Sequence, residues 1–530
     1  MHPRPPPLQH RFRLAAIRRQ TLPTLACAGV LAWAGAATPG TALAQPEDQP
    51  SLSPEVQRGL RERLDRGTKA DAAQQRAFAA IAAGDLPTAT AALREQIDLT
   101  PANFVPWYNL ACTLAQRGLL DEAGDALIAS VERGFSDRWQ LQRDPNLANL
   151  RQHDKFLLIV NNWGAILEAA AETRFEHMKE EYGPRYTYER DTDLRINLAS
   201  GFDAESTRLA HEEIRRVTDW AIETIFQDLV DPPMSATDPW VAVVLPNQSD
   251  FTAWAIAEYG AAAALGEMNR IGGSYSHDRK QLVAMDLGST FRHEFLHVLH
   301  HRSNSRSGQG HPIWIQEGLC SLVEDYDMVE GVLTPTASWR TNSVKRLERA
   351  GGLSSIEDLA VMPRGRFSGT RPLANYAYAR AVFLFLYERG KLTEWYEHYT
   401  QHWHVDSTGI RSIEGVFAMD ITDVDKEFTR WLRALPEVPE SVAAGGANLG
   451  LDIDPGHGEG PIILGIHSRE TREAGLRAGD VLTAVNGRPT RDFHELCRVL
   501  GSYSPGQTVT IDYRRRREHG QATLTLGRAR

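Results

Sequence analysis

The alternation of apolar and polar positions changes character several times along the chain. An apolar, Ala-rich run extends from Leu22 to about Ala37, and residues 46–70 are rich in Pro, Ser and charge. From about Asp71 the apolar positions take helical spacing and repeat: Gly84 and Gly118, Ala89 and Ala123, and Leu93 and Leu127 each lie 34 residues apart. Pro101 closes the first unit, and Trp107, Leu110 and Ala111 open the second. The stretch Ser136 to Phe156, with Asp144-Pro145 and Asp154, ends the array, and Trp163 to Glu181 predicts a helix that caps it. At Arg185 the period becomes that of strands, predicted at Arg185–Glu189, Leu194–Leu198, Trp240–Leu245 and Gln281–Met285, with a helix over Ala204–Leu229. A helix follows near His293, and helices dominate beyond residue 330 until about Leu435. Strands first and helices later predict an α+β domain over 185–435. Pro436 to Asn448 reads as a linker, and residues 449–530 alternate short strands with one helix, Phe493 to Leu500.

The basic start changes how the first apolar run is read. Arg4, Arg11, Arg13, Arg18 and Arg19 precede it, and Ala42-Leu43-Ala44 places a small-x-small cleavage site before Gln45. This layout predicts a secretory signal over 1–44, followed by a linker over 45–70, and an exported protein, periplasmic or secreted. A membrane anchor is the competing reading, but the run is short and broken by Pro23 and Pro39. Arg18-Arg19 points to twin-arginine export. Cys27 is an unsuitable lipidation site, because Thr24 stands where a lipobox needs Leu. No later stretch is long and apolar enough to span a bilayer, so the mature chain is expected to have no transmembrane segment. Removing the leader, with its five arginines and no acid, takes the formal charge from −10 to −15. That balance argues against nucleic-acid binding; the run Arg514 to Arg517 reads as a solvated hairpin end. Cys112, Cys320 and Cys497 are far apart and odd in number, which predicts buried free thiols rather than disulfides.

The chemistry concentrates at His293-Glu294-Phe295-Leu296-His297. Four residues is about one helical turn, so both imidazoles project from one face. Two neutral imidazoles suit Zn²⁺, and a third protein ligand leaves a position for water. Glu294 lies between them, placed to take a proton from that water. Ser289 and Thr290 are expected to cap the helix. Downstream, Pro312 to Leu319 starts a second helix, and Glu317 lies 20 residues past His297, which permits an antiparallel return bringing a carboxylate to the two imidazoles.

His293 to His297, with Trp314-x-x-Glu317-Gly318, resembles the gluzincin peptidases, in particular the bacterial "peptidase MA-like" group. The resemblance covers roughly 185–435. It implies one Zn²⁺ per chain on His293, His297 and Glu317, with Glu294 as catalytic base. Ile271-Gly272-Gly273-Ser274-Tyr275 and the strand after it resemble the edge strand above such a cleft, and Tyr376 to Gly390 and Phe428 to Leu435 the closing helices. Gluzincins often steady the oxyanion with Tyr or His. Tyr376 and Tyr378 are the candidates; two residues apart, they point to different faces, so one is expected to serve. His311 and His300 are further candidates, against which stands an ordinary surface or helix-end role. The chain departs from the family in two ways. Some gluzincins carry an Asp four residues after the ligand Glu, where this chain has Ser321, with Glu324 or Asp325 as substitutes. Some aminopeptidase relatives carry Gly-x-Met-Glu-Asn ahead of the metal helix, which Gly266 to Arg270 echoes in part, tilting the reading toward endopeptidase action or different exopeptidase anchoring.

The 34-residue repeat over 71–182 is similar to tetratricopeptide repeats, which implies a protein-binding array; a helical spacer is the plainer alternative. Leu449-Gly450-Leu451-Asp452-Ile453, with Ala474-Gly475-Leu476, Gly479-Asp480 and Asn486-Gly487, resembles a PDZ domain over 449–530. That resemblance implies a loop and strand at Leu449, Gly450, Leu451 and Ile453 that receive protein C-termini by β-augmentation. Together these readings predict a multidomain chain: α-helical repeat, α+β zincin-type peptidase domain and small β-rich PDZ domain. The expected activity is hydrolysis of peptide bonds in protein or peptide substrates. The alternatives are an inactive scaffold using the flanking modules, and a zinc hydrolase of cell-wall peptides.

Overall fold

The repeating glycines set the helix ends of the first part of the chain. Gly84 and Gly118 both take left-handed backbone (φ +77° and +76°), where a side chain would be strained. Each separates two antiparallel helices: Pro54–Ala83 from Leu86–Leu99, and Phe104–Gln116 from Leu120–Glu132. Ala89, Leu93, Ala123 and Leu127 are wholly buried between them, and the small residues allow the close approach. Arg138–Arg143, a 3₁₀ turn Pro145–Leu150 and Asp154–Asn161 continue the array. The helix Trp163–Tyr182 adds Trp163 and Leu167 to the same core.

The computed structural model describes residues 54–230, 238–259, 272–277, 279–442, 444–454, 460–515 and 518–529. The expected leader at 1–44, the first residues of the 45–70 linker, Gly266 to Ile271, and Arg516 and Arg517 lie outside the described residues. The chain divides into two units, the first ending at Glu172 and the second running from Thr173 to the C-terminus.

The second unit is built on a five-stranded sheet. Its strands are β1 Thr187–Asp191, β2 Ile196–Ser200, β3 Trp240–Val244, β4 Gly273–Ser276 and β5 Gln281–Ala284, in the order β1-β2-β3-β5-β4. β2, β3 and β5 are parallel, and the outer strands β1 and β4 run antiparallel to their neighbours. The period of two explains why β3 is apolar throughout: Trp240, Ala242 and Val244 face the core that holds the His293 helix, while Val241 and Val243 face a second core with Phe175 and Phe251. The sheet starts two residues later than the predicted strands, because Asp191 turns the chain, accepting from the amides of Asp193 and Leu194.

After the sheet come the helices Ser289–Ser307 and Ile313–Cys320. The hairpin of β6 Tyr326–Val329 and β7 Val332–Pro335 is not expected from the sequence, and β7 lies where helices are expected to dominate, since such short strands give too few alternations to read. Helices then run from Trp339 to Ala434. The longest, Pro372–Glu388, packs so closely on Ile313–Cys320 that a Cβ at Gly318 would run into the Phe383 ring and lie 3.0 Å from the Ala379 carbonyl. The predicted linker is pinned: the Asn342 side chain donates to the Val438 carbonyl and accepts from its amide, and Arg346 pairs with Glu440.

β8 Ala447–Asn448, β9 Leu451–Asp454, β10 Ile462–Ile466, β11 Val481–Val485, β12 Arg488–Pro489, β13 Thr508–Arg515, β14 Glu518–Thr525 and β15 Gly527–Arg528 form the last part, with the helix Phe493–Gly501. The main sheet runs β14-β13-β11-β10-β9 and leaves β9 on its edge. Cys112, Cys320 and Cys497 are buried free thiols. Among the described residues no helix is long and apolar enough to cross a membrane.

Candidate metal centre

The helix Ser289–Ser307 begins on a carboxylate. Asp286 accepts from the amides of Gly288 and Thr290 and from the Thr290 hydroxyl. Ser289 and Thr290 are therefore not the caps the sequence suggests: both already lie within the helix, and Asp286 satisfies its first donors. The helix ends at Gly308, in left-handed conformation. Along its buried face His293 and His297 point the same way, and the following helix returns Glu317 to them.

The three predicted ligand residues converge. One ligand atom from each of His293, His297 and Glu317 lies within 4.8 Å of the others, and all three residues are buried. The two imidazole Nε2 atoms are 3.1 Å apart, and Glu317 Oε2 is 3.3 Å from that of His293 and 3.5 Å from that of His297. Three tetrahedral ligand atoms each about 2.1 Å from a zinc ion sit about 3.4 Å apart. The donor set and its spacing therefore fit the ion. Two observations on oxygen atoms agree with the fit. Glu317 Oε1 and both carboxylate oxygens of Glu294 are buried without a hydrogen-bond partner among the described residues. Such groups are costly unless a cation or its water supplies the missing partner.

The other ring nitrogens face outward. His293 Nδ1 lies 2.8 Å from Glu324 Oε1, and Arg340 Nε donates to Glu324 Oε2 at 2.6 Å. Of the two substitutes considered for the missing Asp, Glu324 is the one that reaches His293. His297 Nδ1 lies 3.2 Å from Cys320 Sγ, and the His297 ring stacks on Tyr275 at 5.3 Å. Cys320 and Arg340 have no site role in the sequence, and Tyr275 enters it only as part of the edge strand. A signal existed for Cys320, which sits one turn after Glu317, with Glu324 a further turn on.

Charge in the site is finely divided. Burial alone pulls the His293 imidazole down, but Glu317 and Glu324 outweigh it and push it up to about 10. Burial pulls His297 down. Burial raises Glu317, and the two imidazoles more than reverse this, to about 2. Burial likewise raises Glu324, and Arg340 and His293 bring it down to about 2. Burial pushes Glu294 well above the usual carboxylate range, and the Cys320 thiol well up as well. The two carboxylates Glu317 and Glu324 thus favour the protonated form of the His293 ring between them.

β4 closes one side. A Cβ on Gly273 would fall 2.6 Å from Cγ and Oε1 of Glu294, so only glycine lets the edge strand cross the base. The tyrosine candidates separate. Tyr378 donates its hydroxyl to the Ser354 carbonyl at 2.8 Å and packs on Phe428. Tyr376 is buried against Phe367, at 5.1 Å between rings. His300 and His311 pair with each other, Nε2 to Nδ1 at 2.7 Å, and the His300 ring stacks on Phe226. That pairing lies one turn beyond His293 and His297.

A second group of charges lies beneath the metal helix. Arg292 donates to the carbonyls of Val323 and Glu324 and pairs with Glu213 at 3.2 Å. Glu213 also pairs with Arg491, next to the helix Phe493–Gly501, and with the Tyr326 hydroxyl. Arg491 donates to Glu495 and Tyr326, Arg498 pairs with Asp327 at 2.6 Å, and His494 stacks on Trp339. The C-terminal part is thereby docked, through ion pairs that include buried ones, on the part that carries His293 and His297.

At the C-terminal edge, Leu449 is buried in the local core, so its side chain lines no groove. Gly450 is left-handed (φ +65°); its amide donates to the Asn448 side chain, and its carbonyl accepts from the amides of His467 and Ser468. Leu451 and Ile453 lie half-buried on β9, the open edge.

No curated protein matches the sequence. Among solved structures, the chain is similar to an HtrA-type protease, AlgW with decapeptide, at 19% identity and TM-score 0.15, covering 21% of this chain and 35% of that one. It is similar to an aminopeptidase N family protein from Idiomarina loihiensis at 17% identity and TM-score 0.29, covering 65% of this chain and 67% of that one. It is also similar to a serine endoprotease from Yersinia pestis, at 17% identity and TM-score 0.15, covering 21% and 36%. The chain thus spans about a third of the length of the HtrA-type protease. Residues 472–515 match the pattern of the PDZ domain family.

Proposed function

We propose that this chain is an exported, zinc-dependent peptidase of the gluzincin kind, with one Zn²⁺ on His293, His297 and Glu317. In this reading residues 71–182 are tetratricopeptide-like repeats that bind a protein partner, 185–435 the peptidase domain, and 449–530 a PDZ domain whose β9 edge receives protein C-termini. The observation that carries it is the Glu294 carboxylate: buried, without a hydrogen-bond partner among the described residues, beside three ligand atoms at zinc spacing. A purely binding role gives no account of that carboxylate.

The ion, when bound, supplies Lewis acidity at the scissile carbonyl. The chain supplies the rest. Glu294, raised by its burial, takes a proton from the attacking water and delivers it to the leaving amine. The β4 edge pairs with an extended substrate backbone and holds it across Glu294. Tyr376 is the remaining candidate to donate to the oxyanion.

The test is metal content of the purified chain beside His293→Ala and Glu294→Gln, with turnover of a peptide pool. About one zinc in the parent and none in His293→Ala is expected. Glu294→Gln is expected to keep zinc and lose about 10²–10⁴-fold in turnover. A parent chain that takes up no zinc, or undiminished turnover in Glu294→Gln, overturns the reading.

A further inference from the structure

The two histidines of the metal centre are built alike, save for what holds the back of each ring. Both turn Nε2 inward, to each other and to Glu317, and Nδ1 outward. His293 meets a carboxylate there, Glu324, at 2.8 Å; His297 meets a thiol, Cys320, at 3.2 Å. Cys320 is wholly buried and sits one turn after Glu317 on the same helix, so the segment that brings the third ligand also brings the sulfur. The sulfur is not a fourth ligand: it touches the edge of the His297 ring opposite the nitrogen that faces the centre.

We propose that Cys320 is a positioning residue of the metal centre, accepting the Nδ1–H of His297 so that Nε2 is the nitrogen offered to the ion. The proposal rests on the reading of His293, His297 and Glu317 as a zinc site. A neutral imidazole that gives one nitrogen to a metal carries its proton on the other, and the acceptor of that proton fixes ring orientation and tunes ligand strength. A carboxylate does this strongly, a thiol weakly, so His293 and His297 are unequal ligands. The choice follows from crowding. Glu294, Glu317 and Glu324 already converge in a buried space, and a thiol fixes the tautomer without a fourth carboxylate. Tyr275, stacked on the other face of His297, holds the ring plane but offers Nδ1 no acceptor through that stack.

The test is the zinc Kd by chelator competition, in the full chain, for Cys320→Ala, Cys320→Val and Cys320→Ser, with Glu324→Gln as the reference loss on the other ring. Folding is checked by circular dichroism. Zinc affinity is expected to fall about 10–100-fold in the apolar variants and to return in Cys320→Ser. In cobalt-loaded protein, the d–d bands are expected to move in every variant at this position, serine included, because the donor strength of His297 changes. A folded apolar variant with the parent's Kd overturns the proposal. Where neither apolar variant folds, an unshifted cobalt spectrum in Cys320→Ser overturns it. A parent chain that binds no zinc sinks the underlying site instead. Zinc in the parent and weakened binding in Glu324→Gln, with no effect at Cys320, defeats this proposal alone.

Discussion

Replacing Arg491 by alanine tests whether buried ions hold the PDZ domain on the domain that carries the candidate metal centre. Arg491 pairs with both Glu213 and Glu495, and its side chain is only 12% exposed. Removing one partner of a buried pair costs about 3–5 kcal/mol, since the other charge stays behind uncompensated. Here each orphan keeps a companion. Glu213 retains Arg292 and Tyr326, and Glu495 retains Arg498 at 3.3 Å. The cost therefore belongs at the lower end, about 3 kcal/mol, which multiplies the undocked population by about a hundred. Hydrogen exchange reads this directly: amides of the helix Phe493–Gly501 should lose about a hundredfold in protection, and residues 436–446 should become open to proteolysis. Zinc content should not change, since Arg292 keeps its bonds to the Val323 and Glu324 carbonyls. Protection in Arg491→Ala equal to the parent's would refute the argument and leave Arg498 on Asp327 and the stacking of His494 on Trp339 as the anchor.

Zinc uptake should release at least one proton per chain at neutral pH. His293 titrates at about 10 in the metal-free chain, and its lone pair must be freed to bind. Apparent affinity should thus rise with pH up to about 10. By the same shift, His293 stabilises the metal-free fold fully below its ordinary 6.5 and loses that contribution as pH rises through about 10. Calorimetry in two buffers of different ionisation heat measures the release, and a value of zero rejects this protonation state. Gly273→Ala should keep zinc and lose turnover, because its Cβ would sit 2.6 Å from Glu294; overpacking of this kind costs about 1–3 kcal/mol. Parent-like turnover in a folded Gly273→Ala would show that β4 does not constrain the base.

Local geometry was legible in the sequence because it depends on spacing alone. Two histidines four apart must share a helix face, glycines 34 apart end equivalent helices, and β3 reads apolar throughout because both its faces are covered. The spacing of Glu317 permitted its return to the two imidazoles, and the resemblance to the gluzincins, rather than the spacing, singled it out. What needed the tertiary structure was every choice made between distant segments. Either Glu324 or Asp325 could have followed Ser321; packing of the Trp339–Arg349 helix, which brings Arg340, selects Glu324. Of Tyr376 and Tyr378, the family spacing slightly favoured Tyr376, and only the structure shows the Tyr378 hydroxyl engaged by the Ser354 carbonyl. Cys320 read as one more buried thiol until the His297 ring was placed against it. The docking of Arg491 on Glu213 joins residues far apart in the chain, and nothing in either local pattern announces it. Periodicity fixes which way a side chain leaves its own helix or strand, whereas its partner is fixed only when separate elements pack, and the chemistry of a site is a matter of partners.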